Sequence, residues 1–363
     1  MNALFLLTLT ALAAPAAAQT PADSVAADPN PLTFYGFADG YYGYDFTGRS
    51  QTRPGFLYSH PRANEFALNN AVLGARYDDG RVRGAVGLHA GTYVEANYAA
   101  EPAALRPVYE AYAGFRPFAR AWIDVGIFGS HIGFESALSK DNWTLTRSVM
   151  AENSPYYEAG ARLSYEAGPK LTATGLVLNG WQNLRENNRA KALGTQLQWK
   201  PTAKLLINSS TFYGNEQPQD SARRRRYFHD FYFSYAATDK LSLAAVFDVG
   251  AQQRGAGRRG ADTWHAGAAL LRYQLTEHWA ACARYEYYRA QRGVVIRSFA
   301  PAPADADFNV GGASLNLDYA PAAHVLVRVE GRALRSRQQP FRTDAGAPTA
   351  RYANVTSSVA LSF

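Results

Sequence analysis

Charged residues recur at alternate positions late in the chain, where they could act on ions or polar solutes. Arg284 and Glu286 are separated by one residue, and Arg328, Glu330 and Arg332 repeat that spacing. Residues i and i+2 of a β-strand project from the same face, so each set would form a stripe of alternating charge. Such stripes either pair with neighbouring strands and rigidify a wall, or leave arginines free to attract anions.

Sequence patterns of enzymes and metal sites are missing. The seven histidines show no His-x-x-x-His spacing, and the single cysteine, Cys282, completes neither a zinc site nor a disulfide within the chain. No Gly-x-Ser-x-Gly motif is present. The glycine-rich stretch 36–43 lies in a predicted strand and cradles no phosphate. The sequence therefore predicts a protein that is not an enzyme and that uses no metal or cofactor.

The charged stripes belong to segments in which apolar and polar residues alternate. Residues 82–95, 241–250, 279–288 and 325–333 each place apolar side chains on one parity and polar side chains on the other, which predicts strands with one apolar face. Charged residues make up 18% of the chain, below the roughly 25% of an average soluble domain. In a transmembrane barrel the apolar face meets lipid and the polar face lines the lumen.

Short and long connections alternate between these predicted strands, which is typical of periplasmic turns and extracellular loops. Tight-turn residues mark the short connections, for example 78–80 and 116–118. We predict an all-β, antiparallel transmembrane β-barrel of about sixteen strands (about 14–18), with both termini periplasmic. The long connections are about 47–64, 95–106, 130–154, 182–190, 215–225, 251–262, 290–306 and 335–350.

Both ends of the chain carry signals of export and assembly. Residues 3–14 form an apolar run of signal-peptide length before the small residues 16–18. We predict a signal peptide at 1–18, a periplasmic N-terminal tether at 19–31 and the barrel at 32–363. The last strand ends in Phe363, and a terminal aromatic resembles the signal that the outer-membrane barrel assembly machinery reads. This organisation predicts a location in the outer membrane of a Gram-negative cell.

Tyrosine and tryptophan cluster near the ends of the predicted strands. Such rings, with a polar tip, form girdles at the lipid–water interface. The predicted girdle residues are Tyr35, Tyr41, Tyr42, Tyr44, Tyr77, Tyr157, Tyr165, Trp199, Tyr235, Tyr273, Trp279 and Tyr319.

Several short motifs carry a resemblance to a known family. They are Gly126-Ile127-Phe128, Ile132-Gly133-Phe134-Glu135, Thr146-Arg147-Ser148, Asn179-Gly180-Trp181, Arg284-Tyr285-Glu286 and Arg328-Val329-Glu330. The sequence resembles the OmpL-like β-barrel porins and, more distantly, the phosphate-selective porins. It departs from many of them at Ser130-His131, where they have Thr-Pro. The resemblance implies an outer-membrane channel and leaves the solute undefined.

A porin would use the polar faces of its strands and its longest loop to select solutes. In many porins the loop after the fifth strand folds into the barrel; here that loop, about 130–154, would bring Glu135, Lys140, Asp141, Arg147 and Glu152 toward the pore. An extracellular flap is the alternative. The candidate pore-lining residues on the strands are Arg83, His89, Glu110, Arg116, Asp124, Glu158, Arg162, Asp230, Asp248, Arg272, Arg284, Glu286, Asp318, Arg328, Glu330 and Arg332.

These observations predict a passive diffusion channel for small hydrophilic solutes. A net charge of +7 favours a weak preference for anions. The alternatives are a barrel enzyme such as a lipid hydrolase, and a plugged structural or adhesin barrel. The expected partners are outer-membrane lipid, the assembly machinery and lipopolysaccharide, which the arginine run 223–226 could contact, whereas export argues against nucleic acid. The chain would act as a monomer or a homotrimer.

Overall fold

The computed structural model describes residues 30–48, 51–255, 259–296 and 307–363. The predicted signal peptide, 1–18, and residues 19–29 of the predicted tether lie outside the described residues. Within them, no helix has the length and hydrophobicity needed to cross a membrane.

In the described part of the chain, sixteen antiparallel strands close into a barrel, which confirms the predicted fold class. Each strand pairs with its neighbours in sequence, and the first strand closes the ring against the last. The barrel strands are β1 (Leu32–Asp45), β2 (Phe66–Asp78), β3 (Val82–Ala90), β4 (Val108–Phe115), β5 (Ala121–Gly129), β6 (Tyr157–Gly168), β7 (Leu171–Leu178), β8 (Ala192–Thr202), β9 (Leu205–Asn215), β10 (Arg225–Ala236), β11 (Leu241–Gln253), β12 (Ala261–Gln274), β13 (Trp279–Ala290), β14 (Phe308–Ala322), β15 (Val325–Arg335) and β18 (Arg351–Ser362).

The long connections contain the remaining elements. Two short helices, α1 (Thr92–Asn97) and α2 (Val149–Glu152), lie in the connections after β3 and β5. Single 3₁₀ turns span Ser139–Asp141 and Gln291–Gly293. The short strands β16 (Phe341–Arg342) and β17 (Pro348–Thr349) pair with each other between β15 and β18.

The strands alternate as the sequence predicts, with apolar side chains outward and polar side chains inward. On β15, Val329 is exposed while Arg328 and Glu330 on either side are buried. One predicted strand is too long: residues 82–95 form a strand only to Ala90. Gly91 then adopts φ 138°, which favours glycine and turns the chain into α1. The apparent alternation of 91–95 therefore belongs to a helix.

Two of the predicted girdle aromatics face inward and a third is covered by a connection, so that prediction is wrong for Tyr35, Tyr41 and Tyr157. Tyr35 and Tyr41 fall on the polar parity of β1 and are half-buried and buried. Tyr157 falls on the apolar parity of β6 but is buried under the ring of Tyr98, at 4.0 Å between the ring centroids. Other members of the set are exposed on the outer wall, where amphipathic rings suit a lipid–water boundary. These are Tyr44, Tyr77, Tyr165, Trp199, Tyr235, Tyr273 and Trp279.

The C-terminal residue completes the closure of the barrel. Gly36 donates its N–H to the carbonyl of Phe363 at 3.0 Å, and Phe363 donates in return at 3.1 Å. The ring of Phe363 lies over Gly36, where any Cβ would collide with it. The recognition of Phe363 by the assembly machinery stays a prediction.

Candidate functional site

The segment between β5 and β6, residues 130–156, passes through the barrel and is called the crossing loop here. Leu145 donates its N–H to Asn316 on β14 at 3.0 Å, and Val149 donates to Glu286 on β13 at 2.7 Å. In the ring order, β13 lies eight strands from β5 in either direction. The loop therefore reaches the opposite wall rather than the wall beside it.

Arg284 holds the crossing loop to that opposite wall. Its guanidinium donates to Glu135 of the loop at 3.1 Å and to Glu330 of β15 at 3.0 Å. It also donates to the carbonyl of Thr146 at 2.5 Å. Burial raises the pKa of Glu135, and the Arg284 charge beside it opposes that shift. A buried guanidinium with several acceptors is well suited to join two elements because its donors form a rigid fork.

The other charged stripe residues on this wall are also paired. Arg332 donates to Glu286 at 2.8 Å, and Arg328 donates to Asp318 at 2.7 Å. Arg328 further donates to the carbonyl of Asn142 in the crossing loop at 3.0 Å. These arginines are fully buried and neutralised by carboxylates. They brace the loop and expose no free positive charge to a solute.

The remaining charged residues of the crossing loop differ in their surroundings. Glu152 accepts hydrogen bonds from the backbone N–H groups of Tyr58 and Ser59 at 3.1 Å. Arg147 is buried 3.3 Å from Glu152, with its guanidinium over the rings of Tyr93 (4.5 Å) and Tyr156 (4.0 Å). By contrast, Lys140 and Asp141 pair with each other at 3.0 Å and stay partly exposed. Only these last two could face a solute.

Two aspartates oppose each other beneath the crossing loop. Asp230 on β10 lies directly across from Asp248 on β11, and both are buried. Adjacent buried carboxylates cannot both ionise, so one of the two carboxyl groups is expected to carry a proton. Ser154 of the loop donates to Asp248 at 3.2 Å. The pair therefore anchors the end of the loop.

The start of the crossing loop is anchored by His131. Its Nδ1 lies 2.9 Å from Glu158 and its Nε2 lies 2.9 Å from the carbonyl of Thr211. Burial opposes the imidazolium, but the Glu158 carboxylate outweighs burial and raises the pKa of His131 above its ordinary value. The ring lies over Gly194, where a Cβ would come within 2.8 Å of it. Both ring nitrogens face acceptors, as a charged imidazole requires.

The turn end of the barrel carries a second group of arginines, on β3 and β6. Arg83 and Arg162 both donate to Asp124, at 2.7 Å and 2.8 Å. Gly114 on β4 is the register partner of both Arg83 and Asp124. Because glycine has no side chain, Asp124 can reach Arg83 across β4. A Cβ on Gly114 would collide with the Asp124 carboxylate. These two arginines share one carboxylate, which leaves the group positively charged.

Neighbouring side chains extend this positive surface. Arg116 lies over the ring of Trp122 at 4.8 Å and forms no ion pair with any described residue. Arg76 pairs with Glu110 at 3.1 Å, yet its side chain is 54% exposed. Arginine stacks readily on aromatic faces and keeps its charge there. We name Arg76, Arg83, Arg116 and Arg162 the turn-end arginines.

A glycine furrow runs along the wall beside the turn-end arginines. Tyr35, Gly74, Gly87 and Glu110 stand opposite one another on β1 to β4. The Tyr35 ring lies over the two glycines, and its hydroxyl donates to Glu110 at 2.5 Å. A Cβ on either glycine would collide with the ring. The glycines therefore let a long side chain lie flat along the wall.

His89 lies away from the other candidate pore-lining residues. Its ring packs against Tyr98 at 4.6 Å and Tyr109 at 5.5 Å, and its Nε2 lies 2.9 Å from the carbonyl of Arg106. The connection that contains α1 covers it. The structure therefore brings His89 together with tyrosines and not with the charged wall.

The sequence analysis missed a buried group on β1. Asp39 lies 3.0 Å from His60 and accepts hydrogen bonds from Asn69 at 3.2 Å and from Ser139 of the crossing loop at 2.7 Å. Asp39 stands on the polar parity of its strand, so the alternation alone could have identified it. Its partners could not be found in the same way, because His60 and Ser139 lie in connections with no period.

A family model that matches most of the chain establishes its family. Residues 31–363 match the family described as Putative beta-barrel porin-2, OmpL-like. The chain belongs to this family. The barrel is thus a porin-like barrel of the outer membrane, as the resemblance in the sequence predicted. A comparison with curated proteins gave no match.

Solved structures of outer-membrane proteins share the fold of this OmpL-like barrel. The outer membrane channel DcaP of Acinetobacter baumannii has a TM-score of 0.61 at 13% identity, over 92% of this chain and 97% of that chain. The anion-selective porin from Comamonas acidovorans has a TM-score of 0.59 at 9% identity, over 92% of this chain and 99% of that chain. The outer-membrane-expressed OmpT of Vibrio cholerae has a TM-score of 0.60 at 10% identity, over 93% of this chain and 99% of that chain. At these identities the likeness concerns the fold alone.

Proposed function

We propose that the protein is a passive channel for small hydrophilic solutes and that the crossing loop narrows its bore. The proposal is supported by a sixteen-strand barrel, a number that can enclose an aqueous lumen, and by membership of the OmpL-like porin family. The crossing loop contacts the wall opposite to its origin. A solute would pass beside it, down its own gradient.

We further propose a weak preference for anions, carried by the turn-end arginines. Arg76, Arg83 and Arg162 share ion pairs with two carboxylates, those of Glu110 and Asp124, and Arg116 adds a fourth arginine, so these six side chains have a net charge of +2. Positive charges along a pore lower the free energy of anions within it. Two observations support this preference: the exposed fraction of Arg76, and the lack of a carboxylate partner for Arg116 among the described residues.

Reversal potentials across planar bilayers in a KCl gradient test the preference. The wild-type protein should favour chloride, and Arg116→Gln should lower the chloride-to-potassium permeability ratio because it removes an uncompensated charge. Arg81→Gln is the matched control, since Arg81 is exposed on the neighbouring turn outside the strands. A cation-selective wild-type channel, or equal effects of the two substitutions, would refute the assignment.

Single-channel conductance tests the role of the crossing loop. Deletion of residues 137–150 removes most of the contacts of the loop with β13 to β15, and the conductance should rise. An unchanged conductance would exclude the loop as the constriction.

A plugged structural barrel is the second candidate, because the crossing loop buries so many charged side chains of the wall. Liposome swelling separates the two functions. Swelling in small sugars and small anions supports a channel, whereas liposomes that contain folded protein and do not swell support a plug.

A further inference from the structure

The outer wall of the barrel carries an apolar groove that spans β10 to β18. The groove encloses about 1090 Å³, and outward side chains such as Phe233, Leu315 and Ala333 line it. Ala313, Ala333 and Ala353 stand directly opposite one another on β14, β15 and β18. These small side chains leave a depression between larger neighbours, and a hydrocarbon chain could lie in that depression.

Two arginines stand at the loop end of this groove. Arg335 and Arg351 lie directly opposite each other on β15 and β18, and both are exposed. Each stands two residues beyond a groove alanine on the same face, Arg335 after Ala333 and Arg351 before Ala353. Neither forms an ion pair with any carboxylate in the described part of the chain.

Like charges directly opposite each other on adjacent strands destabilise a sheet. The Arg335–Arg351 pair therefore lacks the partner that would offset its repulsion. An anion between the two guanidinium groups would supply that partner, and phosphate matches the fork of donors that arginine presents. The apolar groove directly below would hold the hydrocarbon part of the same molecule.

We propose that this surface binds a phosphorylated glycolipid of the outer leaflet, with a phosphate between Arg335 and Arg351 and acyl chains in the groove. The leaflet follows from the position of the arginines, which lie at the end of the long connections. In barrels of this kind that end faces the outside, where lipopolysaccharide forms the outer leaflet. The site lies on the outer wall and is independent of the proposed channel function.

Thermal unfolding in lipid-free detergent, with and without added bisphosphorylated lipid A, tests the site. Lipid A should raise the unfolding temperature of the wild-type protein. The Arg335→Gln/Arg351→Gln variant should unfold no lower than wild type without lipid, because it removes a like-charge pair, and should gain little from lipid A. Arg185→Gln/Arg189→Gln is the matched control, because it replaces two exposed arginines in the connection after β7. Lipid A should raise its unfolding temperature as much as it raises that of the wild-type protein.

Native mass spectrometry identifies the ligand chemistry and the groove. The Arg335→Gln/Arg351→Gln variant should retain lipid A about ten-fold less well than wild type, and Ala333→Phe, which fills the groove, should also lose lipid A. Lipid A without its phosphate groups should bind the wild-type protein weakly. Its retention should equal that of intact lipid A on the Arg335→Gln/Arg351→Gln variant. Equal retention of phosphatidylglycerol and lipid A would overturn the outer-leaflet assignment. Wild-type protein that gains no thermal stability from lipid A would overturn the site itself.

Discussion

Replacement of Arg284 by methionine should detach the crossing loop from the far wall. The substitution leaves the carboxylates of Glu135 and Glu330 buried without their shared cation. Breaking a buried ion pair from one side costs about 3–5 kcal/mol. Since about 1.4 kcal/mol corresponds to a factor of ten in an equilibrium constant, the equilibrium constant for attachment of the loop would fall by about two powers of ten or more.

Single-channel recording in planar bilayers, together with thermal unfolding in detergent, measures both consequences. Arg284→Met should raise the mean conductance and lower the unfolding temperature. Arg284→Lys should give intermediate values, because one ammonium group cannot reproduce the fork of donors that joins loop and wall. Adding Glu135→Gln to Arg284→Met should recover part of the stability, since it removes the stranded carboxylate of the loop.

Arg272→Met is the matched control for this experiment. Arg272 lies on β12 and pairs with Asp318 at 2.9 Å, and among the described residues it forms no hydrogen bond or ion pair with the crossing loop. Its loss should leave the conductance unchanged. If Arg284→Met kept the wild-type conductance while its unfolding temperature fell, the reasoning would be refuted, because the guanidinium would then stabilise the wall without holding the loop.

Three further substitutions test other parts of the interior. Gly114→Ala should lower stability by about 2 kcal/mol, measured by denaturant unfolding, because its Cβ displaces Asp124 from charge-assisted hydrogen bonds; an unchanged stability would contradict the packing. Asp248→Asn should raise the thermal stability at pH 8, since Asp230 then faces an amide, and a lower stability would mean that the shared proton is essential. The ion pair of His131 should stabilise the protein fully below about pH 6.5 and be lost as pH rises through its raised pKa; stability measured from pH 6 to pH 9 should fall less in His131→Gln than in wild type.

The barrel could be predicted from the sequence because its physical cause is local. Alternation has a period of two, and each strand reveals its two faces through its own residues, as Val329 and Arg328 do. The limits of that argument appear where the chain leaves the strands. Residues 91–95 keep the alternation by coincidence, and a single glycine with a positive φ, Gly91, ends the strand.

The candidate site could be predicted only in part, because its pairings join residues far apart in sequence. The parity places Arg284 and Glu330 on an inward face, but nothing local shows that Glu135, 149 residues before Arg284, is their partner. The net charge of the chain also misleads, since carboxylates neutralise the stripe arginines, whereas Arg116, at a turn, has no carboxylate partner in the described part of the chain. Electrostatics inside the barrel depends on which charges stay unpaired, and pairing is a property of the closed structure.

The glycine furrow affects the cross-section of the barrel. A side chain that lies flat over Gly74 and Gly87 occupies the thickness of the wall and little of the bore. The width at this level is therefore set by glycine and not by the length of the tyrosine above it. Any larger residue at either glycine would tilt the Tyr35 ring toward the axis. Substitutions of Gly74 or Gly87 can therefore narrow the passage at this level, whereas none can widen it, because glycine is already the smallest residue.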